Sequence, residues 1–230
     1  MRALLLCAGY GERLRPLTDE RAKPALLLKG QPLASYPLRR LAAAGVREVA
    51  VNLHHLPATV RAALGDGSRW GVSIRYVEEP EILGTGGALR GVRDWLMEEG
   101  TALVANADTL AEVDLSAAVV DHRVSLAAAT AVVEDLDPRP EFSAVFADAE
   151  ERILGFGREG KGRPYHFAGF HVLEPEFLKA LPERRAFCLH REGYLPFLAA
   201  GGRARVWAGA TRVRDVGTPE RYRALEASPA

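Results

Sequence analysis

The sequence predicts an α/β fold in which a mostly parallel central sheet is flanked by helices. Apolar runs at residues 3–8, 46–53 and 72–77 are typical of strands. Segments with apolar residues at helical spacing, 33–44 and 57–64, separate these strands. The alternation of strand and helix is characteristic of a parallel sheet, in which ligands bind at the carboxyl ends of the strands.

The composition is that of an ordinary globular chain. Of its 230 residues, 48% are hydrophobic and 26% are charged. Because 30 Lys and Arg residues balance 30 Asp and Glu residues, we expect neither nucleic acid nor a membrane as a partner. The two cysteines, Cys7 and Cys188, favour a reducing compartment, and we expect the cytoplasm. Cys7 lies in the first strand and is interpreted as an apolar core residue.

The loop after the first strand carries glycines followed by cations. Gly9 and Gly11 allow a sharp turn and a close approach of a ligand to the backbone. Successive amide groups in such a turn form an anion site, and Arg13, Arg15 and Lys23 add positive charge. The loop therefore predicts a place to bind phosphates.

Two well-known phosphate motifs do not fit this loop. The dinucleotide fingerprint requires a further glycine and a helix where the chain has Leu14 and Pro16. The Walker A loop requires a Gly-Lys-Ser/Thr sequence, which the loop lacks. A Rossmann dehydrogenase is therefore disfavoured, and a titration without NAD binding would exclude it.

A second glycine-rich loop contains Gly84, Gly86 and Gly87 and precedes a helix that we expect to reach residue 98. The glycines either permit close packing of the helix on the sheet or expose amides to a base or phosphate. We favour ligand contact because the loop, like the first, joins a strand to a helix at the same edge of the sheet.

Asp108 is a candidate metal ligand. It follows an apolar strand at residues 101–106. Capping of the next turn is its alternative role. We favour ligation of Mg²⁺, because phosphate-handling sites hold this ion through one or two carboxylates and substrate oxygens.

The second half of the chain is predicted to be rich in strands. The predicted strands are 126–133, 143–147, 152–156, 165–172 and 203–208. The predicted helices are 111–122, 174–180, 191–200 and one that begins at Thr218-Pro219. Residues 134–141 and the basic segment 158–164 are predicted to be loops.

The first loop and its neighbours resemble the signature of a known enzyme family. The signature residues are Gly9, Gly11, Arg13, Pro16-Leu17-Thr18 and Lys23-Pro24. Together they closely resemble the sugar-1-phosphate nucleotidylyltransferases, and the resemblance extends to about Tyr222. It implies the nucleotide-diphospho-sugar transferase fold, a Rossmann-like, mixed but mostly parallel sheet with a β-rich sugar-binding part. It also implies one domain over residues 1–230, with a nucleotide-binding half at about 1–110 and a sugar-phosphate-binding half at about 111–230.

The resemblance implies a set of site residues. The implied catalytic residues are Arg13, Lys23, Asp108 and Asp215, and the implied Mg²⁺ ligands are Asp108 and Asp215. The implied nucleotide-binding residues are Ala8, Gly9, Gly11, Gly84, Gly86, Gly87 and Asn106. The implied sugar-phosphate-binding residues are Glu159, Lys161 and Gly169.

The chain departs from the family pattern at several positions. Glu159 and Lys161 are not adjacent, as the family's Glu-Lys pair is. Ala107 stands where a glycine is usual, and Val213 stands where an aromatic residue is usual. For Asp215, helix capping or turn formation is the alternative role.

The implied reaction transfers a nucleoside monophosphate from a nucleoside triphosphate to a sugar 1-phosphate and releases pyrophosphate. UTP with N-acetylmuramic acid 1-phosphate is favoured, because residues 65–76 and the short chain look most like that uridylyltransferase. A mannose- or heptose-1-phosphate guanylyltransferase is one alternative. A non-catalytic nucleotide-sugar-binding regulatory protein is another. We expect a monomer or a homodimer.

Overall fold

The computed structural model describes residues 1–136 and 142–228 and has the α/β fold that the sequence predicts. The strands are β1 (Arg2–Leu6), β2 (Leu27–Leu28), β3 (Gln31–Pro32), β4 (Glu48–Leu53), β5 (Ser73–Glu78), β6 (Ala102–Asn106), β7 (Thr109–Glu112), β8 (Ala129–Glu134), β9 (Ala144–Ala147), β10 (Ile153–Gly157), β11 (Arg163–Leu173) and β12 (Ala204–Asp215). The α-helices are α1 (Ser35–Ala43), α2 (Pro57–Leu64), α3 (Gly84–Gly91), α4 (Arg93–Met97), α5 (Leu115–Ser125), α6 (Pro175–Lys179), α7 (Leu195–Ala199) and α8 (Pro219–Ala227).

The central sheet is mixed, with a parallel part and an antiparallel part. Its strands follow the order β5-β4-β1-β6-β11-β8-β12-β7. The pairs among β5, β4, β1 and β6 are parallel, whereas β11 is antiparallel to both β6 and β8. The ends of β1, β4 and β6 therefore lie at one edge, where the sequence placed the ligand site.

The strand β1 lies at the centre and is covered on both faces. Ala3 and Leu5 belong to one apolar cluster, whereas Leu4 belongs to another on the opposite side. Such two-sided burial explains why the strand reads as a continuous apolar run. Cys7 joins the first cluster and is 1% exposed, which confirms its interpretation as a core residue. Burial raises the pKa of its thiol.

The structure differs from the predicted elements at β7 and at the start of α5. The sequence predicts a helix from residue 111, but residues 109–112 form β7 and the helix begins at Leu115. Asp114 sets this start, because its carboxylate accepts hydrogen bonds from the backbone amides of Ser116 and Ala117 at 3.0 and 3.1 Å. Residues 109–112, which precede this cap, pair with β12 instead of joining the helix.

Other boundaries also differ from those predicted. The helix predicted to reach residue 98 is divided at Val92, whose φ of −119° separates α3 from α4. The predicted helix 191–200 is a π-helical turn at Leu189–Tyr194 followed by α7. The last strand continues to Asp215, well beyond the predicted residue 208. The predicted loop 134–141 has its residues 137–141 outside the described part of the chain.

Among the described residues, no helix is both long enough and apolar enough to cross a lipid bilayer.

Candidate active site

A cavity of about 620 Å³ opens at the edge where β1 and β6 end. Its walls include the loop after β1, the start of α3 and the residues that follow β6. Of the residues predicted to bind nucleotide, Ala8, Gly9, Gly11, Gly84 and Asn106 line it. The structure therefore brings these five predicted residues together around one cavity.

The first glycine loop depends on Gly11. This residue has a φ of +67°, and an added Cβ would lie 2.9 Å from the Cγ2 atom of Thr18. The hydroxyl of Thr18 donates to the carbonyl oxygen of Gly11 at 3.0 Å. The chain then forms only a short 3₁₀ turn at Glu12–Leu14, rather than the helix that a dinucleotide-binding motif requires. The side chain of Thr18 therefore helps to hold the loop in place, and Gly9 and Gly11 line the cavity.

Lys23 and Asp108 line this cavity, and Asp215 lies next to them. The Nζ atom of Lys23 lies 2.5 Å from Oδ2 of Asp108 and 3.9 Å from Oδ1 of Asp215. The lysine side chain is 11% exposed, so its charge is largely withdrawn from water. The other oxygen of Asp215 accepts a hydrogen bond from Nη1 of Arg221 at 3.1 Å.

Strand pairing explains why two carboxylates distant in sequence meet. Asp215 is the last residue of β12 and is paired with Thr109, the first residue of β7. The amide of Val216 donates to the carbonyl oxygen of Asp108 at 3.3 Å. The pairing of β7 with β12, which the sequence did not predict, therefore places Asp108 next to Asp215.

Arg13 lies beside the same carboxylates. A methyl group added at Gly217 would lie 3.4 Å from Nη2 of Arg13 and would overlap Oδ2 of Asp215. Within residues 1–136 and 142–228, no carboxylate forms an ion pair with Arg13. Its guanidinium is therefore available to an anionic ligand.

The cluster fits a divalent cation of the kind that takes few protein ligands. An ammonium group already bridges the two carboxylates, so both of them face one positive charge. In the described part of the chain, no group of three or more His, Cys, Asp or Glu residues forms a closed metal cage. Mg²⁺ suits such a site, because it binds through one or two carboxylates and takes its other ligands from phosphates and water.

A second cavity, of about 270 Å³, adjoins the first. The two share Arg13, Asn106 and Asp108, so their junction lies at the carboxylate cluster. The ring-bearing side chains that line only the second cavity are Phe142, Phe156, Phe167, His166 and His190. These residues do not form a recognisable spacing, so their grouping could not be predicted from the sequence.

Asn52 and Glu79 connect the two glycine loops. Oδ1 of Asn52 accepts a hydrogen bond from the amide of Cys7, and its Nδ2 donates to Oε1 of Glu79, both at 2.8 Å. The other oxygen of Glu79 accepts from the amide of Leu83 at 3.2 Å. Both side chains are buried and line the first cavity. Both residues lie at the carboxyl ends of parallel strands, β4 and β5, and this position could have identified them in the sequence as candidate site residues.

The second glycine loop is shaped largely by packing against Phe187. A methyl group at Gly84 would lie 2.6 Å from the carbonyl oxygen of Phe187, and one at Gly86 would overlap its ring. The amide of Gly86 donates to that carbonyl oxygen at 3.0 Å. Gly87 is enclosed by residues 185 and 186 and by Leu83. Gly84 lines the first cavity, whereas Gly86 and Gly87 do not.

The residues predicted to bind the sugar phosphate do not line either cavity. Glu159 and Lys161 are exposed in the turn between β10 and β11. Gly169 is buried in β11, where an added Cβ would lie 2.8 Å from the Cβ of Thr109. The latter glycine permits β11 to approach the strand that carries Asp108.

Comparisons with known proteins identify the family of this chain. Residues 2–182 match the family model described as nucleotidyl transferase. The chain is 37% identical over 225 residues to a mannose-1-phosphate guanylyltransferase of Mycobacterium tuberculosis, covering 96% of this chain and 62% of the relative. It is 32% identical over 238 residues to an N-acetylmuramate alpha-1-phosphate uridylyltransferase of Caulobacter vibrioides, covering 98% of this chain and 95% of the relative. The chain spans about half, 51 and 53%, of the length of two other curated relatives that it matches.

A solved structure has the same fold. The crystal structure of HddC from Yersinia pseudotuberculosis superimposes with a TM-score of 0.82 at 20% identity, covering 98% of this chain and 97% of that one. The family match and the relative of similar length cover most of the described chain. This chain belongs to the nucleotidyl transferase family.

Proposed function

We propose that the chain is a sugar-1-phosphate nucleotidylyltransferase. It would transfer a nucleoside monophosphate from a nucleoside triphosphate to a sugar 1-phosphate and release pyrophosphate. The observation that carries this proposal is the pair of adjoining cavities with Arg13, Asn106 and Asp108 at their junction. A reaction between two phosphate-bearing substrates needs such a junction, where both substrates meet the same charges.

The proposed chemistry needs no general base. A phosphate monoester has a second pKa of about 6, so the sugar phosphate is mostly a dianion at neutral pH. The site has to align the two substrates for in-line displacement at the α-phosphorus and neutralise charge as the pyrophosphate leaves. We assign Arg13 to the pyrophosphate and Lys23 to the α-phosphate or the sugar phosphate. The position of Lys23 beside both aspartates supports this role.

Asp108 and Asp215 are proposed to hold Mg²⁺. When bound, this ion would neutralise charge on the phosphate oxygens. The two carboxylates differ in their setting, because Asp215 also pairs with Arg221 whereas Asp108 lies nearer to Lys23. The backbone pairing of β7 with β12 keeps both at the junction.

Two substrate pairs are candidates within this reaction. UTP with N-acetylmuramic acid 1-phosphate is the pair expected from the sequence, and it agrees with the name of the C. vibrioides relative of similar length. GTP with mannose 1-phosphate agrees with the name of the M. tuberculosis relative, which is more similar in sequence.

The test is a matrix of common nucleoside triphosphates against sugar 1-phosphates, with Mg²⁺ present and pyrophosphate release as the readout. Turnover with one base and one sugar would support the proposal and identify the substrates. Binding of nucleotide sugars without turnover across the whole matrix would instead identify a regulatory protein. The variant Asp108→Asn is the control for release that does not depend on this site.

A further inference from the structure

Arg221 holds one oxygen of the Asp215 carboxylate. Its Nη1 atom donates a hydrogen bond to Oδ2 of Asp215 at 3.1 Å. The other oxygen, Oδ1, lies 3.9 Å from Nζ of Lys23, which also contacts Asp108. The side chains of Asp215 and Arg221 are 17% and 25% exposed, so the pair is largely shielded from water. The two oxygens of one carboxylate therefore face different cations.

A second contact fixes the plane of the Arg221 guanidinium. Its Cζ atom lies over the Phe142 ring, 4.8 Å from the centroid. The Phe142 ring lines the second cavity, and its centroid lies 5.1 Å from that of the His166 ring. A guanidinium group can stack on an aromatic face while its edge donates hydrogen bonds. The wall of the second cavity therefore orients Arg221 while Arg221 bonds Asp215.

The helix α8 carries Arg221 to this position. The helix begins just after Thr218, whose Oγ1 atom accepts a hydrogen bond from the amide of Arg221 at 3.4 Å. One residue further, the hydroxyl of Tyr222 donates to the carbonyl oxygen of Leu27 in β2. The first turn of α8 therefore follows closely on the strand of Asp215 and is held against β2.

The orientation of the Asp215 carboxylate depends on this arginine. The torsion that orients an aspartate carboxylate is broad, so the group needs a partner to hold one orientation. The contact with Lys23 at 3.9 Å is longer than a hydrogen bond, whereas the contact with Arg221 at 3.1 Å is not. The bond from Arg221 to Oδ2 therefore sets the direction of Oδ1.

We propose that Arg221 is a positioning residue for Asp215, an inference that rests on the proposed function. It holds Oδ2 and so turns Oδ1 toward Lys23 and Asp108, where the two carboxylates are proposed to hold Mg²⁺. Partners that orient a metal-binding side chain without contacting the ion are worth about 10–100-fold in metal affinity or activity.

A role of Arg221 as a plain counter-charge has the opposite consequence. A guanidinium that only neutralised Asp215 would repel a divalent cation, so its removal would tighten metal binding. Loss of a positioning residue weakens metal binding instead, because the carboxylate oxygen is no longer directed at the ion. The sign of the change in metal affinity therefore separates the two roles.

The experiment measures Mn²⁺ binding by the enhancement of water proton relaxation, which is large only for Mn²⁺ bound to the macromolecule. The unreactive α,β-methylene analogues of UTP and GTP are present in turn. Arg221→Leu removes the hydrogen bond and the charge, and we expect it to raise the Kd for Mn²⁺ by about tenfold or more. Arg223→Leu, at an exposed position on the same helix, is the matched control and should leave the Kd unchanged. An unchanged or lower Kd in a folded Arg221→Leu variant would overturn the proposal.

Arg221→Lys covers the case in which the leucine variant does not fold. It keeps the charge but loses the planar group that stacks on Phe142 and donates to Asp215. We expect it to raise the Kd for Mn²⁺ by a smaller factor than the leucine variant does. A wild-type Kd in Arg221→Lys would count against the proposal.

Failure of the proposed function gives a different result. In that case the wild-type chain releases no pyrophosphate from any pair of substrates, and the comparison of Mn²⁺ affinities still decides the role of Arg221. If the wild-type chain turns over, Arg221→Leu should lower kcat by about tenfold or more and leave the KM for the sugar 1-phosphate unchanged. No binding of Mn²⁺ by the wild-type chain with either analogue would refute the inference, whatever the turnover assay shows.

Discussion

The position of the Asp215 carboxylate is open to a test by a single methyl group. In Gly217→Ala, the added Cβ would overlap Oδ2 of Asp215 and lie 3.3 Å from its Cγ. The backbone at Gly217 is outside the left-handed region, so alanine is tolerated there without backbone strain. The substitution therefore moves one carboxylate and leaves its charge and the fold in place.

The size of the effect follows from this geometry. To restore an ordinary van der Waals separation, Oδ2 of Asp215 has to move by about 1 Å. An off-rotamer side chain costs about 0.5–1.5 kcal/mol, and in a chain of this size each kcal/mol lowers Tm by about 2–4 °C. Misplacement of a catalytic group by about 1 Å costs about 10²-fold in rate. We therefore expect a small fall in Tm and a fall in kcat of about 100-fold.

The assay is the initial rate of pyrophosphate release at saturating substrates, with Tm measured in parallel. Gly91→Ala is the matched control, because an added Cβ there meets no atom within 4 Å. A Gly217→Ala variant that keeps kcat within a factor of about two would show that the transition state does not depend on where this carboxylate points. The assignment of Asp215 to the reaction would then fall.

Three other substitutions test the remaining parts of the site. Asp108→Asn should abolish Mg²⁺-dependent turnover in a chain that still folds, as measured by pyrophosphate release over a Mg²⁺ titration; a near-native rate would remove Asp108 from the metal site. Arg13→Ala should lower kcat more than it raises the KM for the sugar phosphate, because it is assigned to the leaving group; the reverse pattern in steady-state kinetics would make it a substrate-binding residue. Gly86→Ala should destabilise the chain by about 1–3 kcal/mol through overpacking against Phe187. Thermal melting beside Gly91→Ala measures this, and an unchanged Tm with a raised KM for the nucleotide would favour ligand contact instead.

The pattern of apolar residues along the sequence was sufficient to predict the parallel part of the sheet. The strands at β1, β4 and β6 are buried on both faces, and burial of this kind leaves a continuous apolar run in the sequence. The glycine loop after β1 was predictable for a related reason. Gly11 has a backbone conformation that few other residues adopt, so a glycine at this position indicates the turn.

The second glycine loop shows where the local pattern is ambiguous. The same three glycines are compatible with ligand contact and with close packing. The structure places Phe187, which is far away in the sequence, against Gly84 and Gly86. No feature within residues 83–89 indicates that partner, because the close approach is a property of two segments together.

The sequence by itself determined the fold class and the glycine turn after β1, because each depends on periodicity or on a local backbone conformation; that this turn binds phosphate stays a prediction. Only the tertiary structure decided that Asp108 meets Asp215 through the pairing of β7 with β12. It also decided that His190 and His166 face one cavity although they lie on different elements. These contacts are non-local, and their energy comes from packing between elements rather than from any segment's own preference.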